Sequence, residues 1–246
     1  QIFCPRLHLE IIGEIYMKNK ILCIIPARGG SKGIKNKNLI KFKGKPLLYW
    51  TLKIAKQINF FDKIIVSTDS KRIQRYAKNN NISAPFLRPK LISKDDTPMK
   101  DVILHVLEYF KDNNYFPTTV VLLQPTSPFR TKSTIVKAHN IFIKKKLDSL
   151  FSVEKIKHTH HPSYVFHDKK ELLKSKLKNL NNKKNRQALK EMFALDGGVI
   201  FITKSKIVKK SIIAGKIDYI EVFQPESFDI DSYDDLKLCE MINVKL

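Results

Sequence analysis

The chain has 246 residues, 43% of them hydrophobic, which is long enough to bury the core of one large α/β domain. Its 46 Lys and Arg residues against 23 Asp and Glu residues give a formal net charge of +23. Because the lysines are spread over the whole length, we interpret them as a solvated basic surface and expect no nucleic-acid partner. No apolar run approaches the roughly 18 residues of a membrane helix, so we expect a soluble protein without a membrane partner.

The cysteines and the first residues indicate the compartment. Cys4, Cys23 and Cys239 are odd in number and far apart, and no CxxC pair occurs, which favours a reducing cytoplasm. Residues 1–16 lack the charged start, the long apolar stretch and the small-residue cleavage site of a signal peptide. We therefore expect a cytoplasmic protein and interpret residues 1–16 as a non-core N-terminal extension before Met17.

Short β-branched runs alternate with longer helical patterns along the chain, which is typical of βαβ units and a largely parallel sheet. The sequence predicts strands over residues 22–27, 63–68, 119–124 and 149–154, and helices over residues 47–58, 70–78, 99–110 and 131–146. Residues 155–187 are polar, rich in His and then in Lys, and lack periodicity, so they leave the core. Strand character returns over residues 193–203 and 219–224, and residues 232–242 predict a final helix.

The loop after the first predicted strand lies in the stretch IIPARGGSKGIKNKN, residues 24–38. It matches neither the GxxxxGK[ST] phosphate loop nor the GxGxxG dinucleotide fingerprint, which leaves a P-loop ATPase and a dehydrogenase unsupported. Consecutive backbone N–H groups in a glycine-rich loop form an anion nest, and nearby cations offset the charge of a nucleoside triphosphate. A flexible basic turn is the alternative. The residues that carry the prediction are Arg28, Gly29, Gly30, Ser31, Lys32, Gly33 and Lys37.

Further blocks follow this loop in order: GKPLLYWTL, IIVSTDS, LRPKLISKDDTPMKDVILHVLE, VVLLQPTSPFRT, NRQALKEMFALDGGVIFI and FDIDSYDDL. Together they resemble the CMP-sialic acid synthetase, or acylneuraminate cytidylyltransferase, family of enzymes that activate nonulosonic acids. The resemblance covers almost everything from Ile21 to the end. It implies an α/β, Rossmann-like nucleotidyltransferase core with a mostly parallel central sheet flanked by helices, formed by residues 17–154 and 188–246. It also implies that residues 155–187 form a protruding element for dimerisation and the sugar pocket, and hence a homodimer.

The same resemblance implies roles for single residues. Gly30, Ser31 and Lys37 are expected at the triphosphate with Arg28 and Lys32, which also stabilise the leaving pyrophosphate. The remaining nucleotide contacts it implies are Asn38 beside the nucleoside, Arg88 and Thr97 near the base, and Gln124 and Thr126 at the ribose and phosphates. On the sugar side it implies Tyr164, Arg186, Gln187 and Asp196. Two of these depart from the family pattern, because Asp196 replaces a frequent Asn and Tyr164 replaces a basic residue, which leaves the exact sugar open.

Two carboxylates near the end of the chain predict a metal site. Asp229 and Asp231 are two positions apart, so in an extended segment both side chains project to the same face. Mg²⁺ takes oxygen ligands and is commonly shared between carboxylates and phosphates, and the family resemblance also implies the metal pair here. The alternative is that DIDSYDD caps the final helix through Asp231 or Ser232.

The leading hypothesis is a Mg²⁺-dependent cytidylyltransferase for cell-surface glycan synthesis. In it, the anomeric hydroxyl of a nonulosonic acid attacks the α-phosphorus of CTP, pyrophosphate leaves and a CMP-sugar forms. Positioning and charge neutralisation supply most of the rate, and Asp231 orients the metal or accepts the hydroxyl proton. One alternative keeps the fold but uses another nucleotide, such as GTP, and another sugar. The other, ranked last, is a non-enzymatic basic protein that binds nucleic acid.

Overall fold

A computed structural model describes residues 19–162, 165–169, 172–175, 190–244 and 246. The strands in chain order are β1 (Ile21–Pro26), β2 (Lys41–Phe42), β3 (Lys45–Pro46), β4 (Lys63–Ser67), β5 (Thr119–Leu122), β6 (Ser149–Lys155), β7 (Phe166–Lys169), β8 (Leu172–Ser175), β9 (Phe193–Leu195), β10 (Phe201–Lys204) and β11 (Ile217–Glu221). The α-helices are α1 (Leu47–Ala55), α2 (Lys71–Asn79), α3 (Met99–Asp112), α4 (Lys132–Lys144) and α5 (Tyr233–Met241). No helix in these ranges is long and apolar enough to cross a membrane.

The central sheet has seven strands in the order β11-β6-β10-β5-β1-β4, with β9 also paired to β6. Strand β1 runs parallel to β4 and β5, and β6 runs parallel to β11. Strand β10 is antiparallel to both β5 and β6, and β9 is antiparallel to β6. Five strands therefore run in one direction and only β9 and β10 in the other, which confirms the mostly parallel sheet.

Helices cover both faces of the sheet because its central strands are apolar on both sides. In β1, Ile21, Cys23 and Ile25 pack in a cluster with residues of α1, α2 and α4. The alternate residues Leu22 and Ile24 pack with residues of α3 on the opposite face. Strands buried on both faces read as continuous apolar runs, and successive side chains point to opposite faces.

Polar side chains cap the first turns of α2, α4 and α5, whereas α1 and α3 begin after Pro46 and Pro98 without a side-chain cap. Ser70 and Thr131 accept hydrogen bonds from backbone N–H groups at the starts of α2 and α4. At α5, Ser232 and Asp235 form a reciprocal capping box. Of the two caps that the sequence offered for this helix, Ser232 is the one used, so the carboxylate of Asp231 is left for another partner.

The prediction of one continuous strand over residues 193–203 is wrong. It is divided into β9 and β10, which flank a turn at residues 196–200. Leu195 pairs with Val153 and Phe201 with Phe151. The chain therefore advances six residues from β9 to β10 while β6 advances only two. A bulge of this kind bends the backbone and re-aims side chains at the edge of a site.

Several element ends also differ from the prediction. The first and fourth helices end at Ala55 and Lys144, earlier than residues 58 and 146. The last strand covers Ile217–Glu221 rather than residues 219–224. In the expected excursion, β6 extends to Lys155 and β7 and β8 pair with each other as an antiparallel hairpin. The assignment of residues 155–187 to dimerisation stays a prediction.

Candidate active site

A cavity of about 250 Å³ lies where the loops that follow β1 and β5 meet the segment between α2 and α3 and the segment before α5. Ligands of open α/β sheets bind at this place, outside the carboxyl ends of the parallel strands. The structure brings ten of the residues predicted from the sequence into its lining: Arg28, Ser31, Lys37, Asn38, Arg88, Thr97, Gln124, Thr126, Asp229 and Asp231.

The loop after β1 is held by two of its own side chains and by Asp69. Gly29 N donates to Asp69 Oδ1 at 2.7 Å, which ties this loop to the end of β4. Ser31 Oγ donates to Ile34 O at 2.5 Å and accepts from Lys37 N at 3.2 Å. Asn38 Nδ2 donates to the carbonyl oxygen of Arg28 at 2.9 Å. Ser31 and Asn38 thus fix the loop while they line the cavity.

Three other predicted residues of this loop differ in their exposure. Gly30 is exposed, and a Cβ atom there would meet no atom within 4 Å. Lys32 is also exposed and lies outside the cavity lining, although its Nζ is 3.4 Å from Asp95 Oδ2. Lys37 is largely buried, with a side chain only 14% exposed.

Asp95, which the sequence analysis did not select, pairs with two of the predicted phosphate-binding cations. Arg28 and Lys32 both form ion pairs with its carboxylate. Desolvation opposes the effect, but the hydrogen bonds and charges of Arg28 and Lys32 lower the pKa of Asp95. A carboxylate of the chain therefore lies where the sequence predicts an anionic ligand.

Arg88 and Thr97 line the cavity and also make hydrogen bonds within the protein. Arg88 Nε donates to Ser67 Oγ at 3.2 Å, and its Nη2 donates to Ser67 O at 2.5 Å. Burial lowers the pKa of this arginine to about 10. Thr97 Oγ1 accepts from Lys94 N at 3.0 Å. Arg88 thus binds the last residue of β4, and the arginine is only 6% exposed.

The two aspartates before α5 differ in environment although both line the cavity. Ile230 between them is fully buried, so the alternating chain turns Asp229 and Asp231 to the opposite side. Asp231 Oδ1 lies 2.5 Å from Lys37 Nζ. Asp229 Oδ1 is buried and has no hydrogen-bond partner among the residues that the structure describes.

The pKa of Asp229 is raised to about 6, mainly by burial. Thr126 opposes the shift and the neighbouring charge of Asp231 adds to it. Gly197 packs directly against this aspartate, since a Cβ atom on the glycine would lie 2.1 Å from Asp229 Cβ. A buried carboxylate oxygen without a partner, beside a second carboxylate, suits a hard cation that brings its other ligands with it.

The arrangement fits Mg²⁺ better than a metal held by protein groups alone. Among the residues that the structure describes, no group of three or more His, Cys, Asp or Glu residues is able to hold a metal ion. Mg²⁺ usually binds through one or two carboxylates together with substrate phosphates and waters. Asp229 and Asp231 supply that pair, and Arg28 and Lys37 lie in the same cavity.

The predicted sugar side is only partly described. Tyr164, Arg186 and Gln187 lie outside the described residues. Asp196 lies behind the cavity rather than in its lining. Its Oδ1 accepts from Ser152 Oγ at 2.9 Å, Gly198 N at 2.9 Å and Val199 N at 3.2 Å.

Arg130 is a second residue that the sequence analysis did not select, although it lies in the block VVLLQPTSPFRT. It is only 4% exposed, and burial lowers its pKa to about 10. Its guanidinium donates to the carbonyl oxygens of Gln124, Gly198 and Val199. In the sequence, Arg130 was marked only by its place in the loop after the buried strand β5, next to the apolar residue Phe129.

The sheet and the cavity at its carboxyl edge define a nucleotidyltransferase-type fold. A solved structure titled CMP:2-keto-3-deoxy-manno-octonic acid synthetase complexed with CTP superimposes with a TM-score of 0.64. The match covers 90% of this chain and 97% of that one, at 14% sequence identity. At that identity the likeness concerns the fold alone.

Sequence comparison gives the family. Residues 22–230 match the family model described as Cytidylyltransferase, and the chain belongs to that family. It is 32% identical over 232 residues to N-acylneuraminate cytidylyltransferase of Escherichia coli, a match that covers 93% of this chain and 53% of the relative. It is 37% identical over 136 residues to pseudaminic acid cytidylyltransferase of Campylobacter jejuni, with 55% and 58% covered. The chain thus spans little more than half the length of these two relatives.

Proposed function

We propose that this protein transfers CMP from CTP to the anomeric hydroxyl of a nonulosonic acid. The observation that carries the proposal is the shared cavity, in which the carboxylate pair Asp229 and Asp231 faces the glycine-rich basic loop of Arg28 and Lys37. Nucleotidyl transfer needs these two features together, because the metal and the cations must bind the same triphosphate. The named activities of the two relatives support CTP and a sugar acid as substrates.

In the proposed reaction, the hydroxyl oxygen of the sugar attacks the α-phosphorus of CTP in line. The bond from that phosphorus to the oxygen bridging to the β-phosphate breaks, and pyrophosphate leaves with the electron pair. Asp231 accepts the hydroxyl proton or orients the metal, and it is held for this by Lys37 Nζ at 2.5 Å. When bound by Asp229 and Asp231, Mg²⁺ would offset the negative charge of the phosphate oxygens.

The basic loop binds and stabilises the pyrophosphate end of the nucleotide. Arg28 and Lys32, which pair with Asp95 in the free protein, exchange that carboxylate for phosphate oxygens. Gly30 leaves room for phosphate beside the backbone, because no atom lies within 4 Å of its Cβ position. The other nucleotide contacts of the proposal all line the cavity: Ser31, Lys37, Asn38, Arg88, Thr97, Gln124 and Thr126.

The acceptor side extends the proposal beyond the described residues. Tyr164, Arg186 and Gln187 are proposed to contact the sugar, with Arg186 paired to its carboxylate. Asp196 contributes by holding the turn beside Asp229. Residues 155–187 are proposed to complete the sugar pocket in a homodimer, and the protein to work in the cytoplasm.

The proposal is tested by pyrophosphate release from CTP with a panel of nonulosonic acids and Mg²⁺. The wild-type protein should release pyrophosphate with at least one acceptor, and Asp229→Asn combined with Asp231→Asn should abolish the release. Asp234→Asn is the matched control, since Asp234 is 95% exposed and lies outside the cavity. Wild-type protein that releases no pyrophosphate with any acceptor would contradict the proposal.

A further inference from the structure

The turn between β9 and β10 packs directly against two residues that line the cavity, Gln124 and Asp229. Gly198 has φ +101, and a Cβ atom there would lie 2.4 Å from Gln124 Nε2. A Cβ atom on Gly197 would lie 2.1 Å from Asp229 Cβ. Only glycine allows this approach, so the position of the turn fixes how far Gln124 and Asp229 reach into the cavity.

Two groups of opposite charge hold this turn, the half-buried Asp196 and the buried Arg130. Asp196 Oδ1 accepts from the backbone N–H groups of Gly198 and Val199 at 2.9 and 3.2 Å. Arg130 donates to the carbonyl oxygens of the same two residues, through Nη2 to Gly198 at 3.3 Å and through Nε to Val199. The backbone N–H and C=O groups of Gly198 and Val199 are thus all hydrogen-bonded by Asp196 and Arg130.

Arg130 also reaches the loop after β5 and helix α1. Its Nη2 donates to Gln124 O at 2.7 Å, and its Nη1 donates to Thr51 Oγ1 at 3.2 Å. One guanidinium therefore joins the backbone of Gln124 to the turn that supports the side chain of Gln124. A planar fork with five donors is suited to hold several acceptors in a fixed geometry, which a lysine cannot reproduce.

We propose that Arg130 is a positioning residue, which sets the place of Gln124 and Asp229 in the cavity through the carbonyl oxygens of Gln124, Gly198 and Val199. The inference rests on the proposed nucleotidyl transfer and adds a residue that touches neither substrate. Burying an arginine costs desolvation free energy. In return, Arg130 fixes the distance between Gln124, a proposed nucleotide contact, and Asp229, a proposed metal ligand. Small displacements of reacting groups have large effects on rate.

A double-mutant cycle on Arg130→Lys and Gln124→Ala tests the proposal. We expect Arg130→Lys to lower kcat/KM for CTP by about 100-fold, and also to weaken CTP binding measured by calorimetry with Mg²⁺. If Arg130 acts through Gln124, the double variant should be no worse than about Arg130→Lys alone, because residues that act as one unit are not additive. Effects that multiply in the double variant would overturn the inference.

A matched control separates positioning from loss of stability. Phe142→Leu changes a residue of α4 that is 3% exposed in the core, away from the cavity. At equal loss of melting temperature, Phe142→Leu should keep the CTP affinity of wild type. If it loses as much affinity as Arg130→Lys, the role of Arg130 is only structural.

A milder variant covers the case in which Arg130→Lys fails to fold. Thr51→Val removes one hydroxyl partner of Arg130 at almost constant volume, and it should weaken CTP binding in the same direction but less. Unchanged affinity in Thr51→Val would then count against the proposal. If wild type binds CTP and Arg130→Lys binds it equally, only this inference fails. A wild-type protein that neither binds CTP nor releases pyrophosphate overturns the proposed function as well.

Discussion

Lys37 Nζ and Asp231 Oδ1 are 2.5 Å apart, although the two residues are separated by 194 positions in the chain. Lys37 is 14% exposed on its side chain and Asp231 is 72% exposed, so the pair lies at the rim of the cavity. The contact joins the loop after β1 to the segment before α5. It thereby connects the proposed triphosphate site with the proposed metal site.

Replacing Lys37 by Met should lower kcat/KM for CTP by about 10- to 100-fold, the range for losing a hydrogen bond to a charged group. The loss has two causes, because Asp231 loses its partner and its charge then repels the ionised Asp229 more strongly. Lys35→Met is the matched control, since Lys35 is exposed and outside the cavity lining. Equal activity in the two variants would show that Lys37 does not act in the site.

Asp95→Asn should lower the KM for CTP, because Arg28 and Lys32 no longer have to leave a carboxylate before they bind phosphate. Exposed ion pairs of this kind are weak, so we expect a decrease of about 2- to 5-fold. Asp96→Asn, at the exposed neighbouring position, controls for the change in net charge. An increase in KM in Asp95→Asn alone would mean that Asp95 assists nucleotide binding.

The Mg²⁺ requirement should depend on pH through Asp229, whose pKa is raised to about 6 by burial. Above that pH the carboxylate is ionised and free to bind metal, and below it protons compete with the metal. For one proton in competition, the Mg²⁺ concentration for half-maximal activity should be about fourfold higher at pH 5.5 than at pH 7.5. Saturating Mg²⁺ should remove the difference between the two conditions, and a pH-independent requirement would contradict this role.

Asp229→Asn should stabilise the metal-free protein at pH 7.5 while it abolishes activity. The pKa of Asp229 is higher in the folded protein than its ordinary value of 3.8, so the ionised form is disfavoured by folding. This cost is present above about pH 6 and disappears as the pH falls toward 3.8. We expect a gain of about 1–3 kcal/mol in the free energy of unfolding at pH 7.5, measured by denaturant titration.

The control for that measurement is Asp231→Asn, which loses the Lys37 ion pair and should give no such gain. If neither variant is stabilised, or if the gain in Asp229→Asn persists at pH 4, the buried, ionised carboxylate of Asp229 does not destabilise the folded protein.

The sequence was sufficient to predict that residues from distant segments meet in one site. Arg28, Gln124 and Asp231 are far apart in the chain, but each lies where a segment passes the carboxyl edge of the sheet. The same-face spacing of Asp229 and Asp231 needed only the two-residue period of an extended chain. The local patterns and the direction of the parallel strands indicate which segments meet. The roles of single residues such as Gln124 came from the family resemblance.

Other features depend on three-dimensional contacts that no local pattern contains. An Asp in a polar stretch gives no sign that it pairs with Arg28, so Asp95 was missed. An arginine whose partners are backbone carbonyls, such as Arg130, leaves no pattern of partner residues to find. The strand character of residues 193–203, on both sides of Asp196-Gly197-Gly198, could not show that β10 runs antiparallel, nor that a bulge begins at Asp196.

The most direct test of the proposed function is to identify the product by mass spectrometry. The protein is incubated with Mg²⁺, all four nucleoside triphosphates and a panel of nonulosonic acids, and the sugar nucleotides formed are analysed. We predict one or more CMP-linked sugars that appear only with CTP and disappear in the variant with both Asp229→Asn and Asp231→Asn. A product that carries GMP, AMP or UMP, or no sugar nucleotide from any acceptor, would contradict the account.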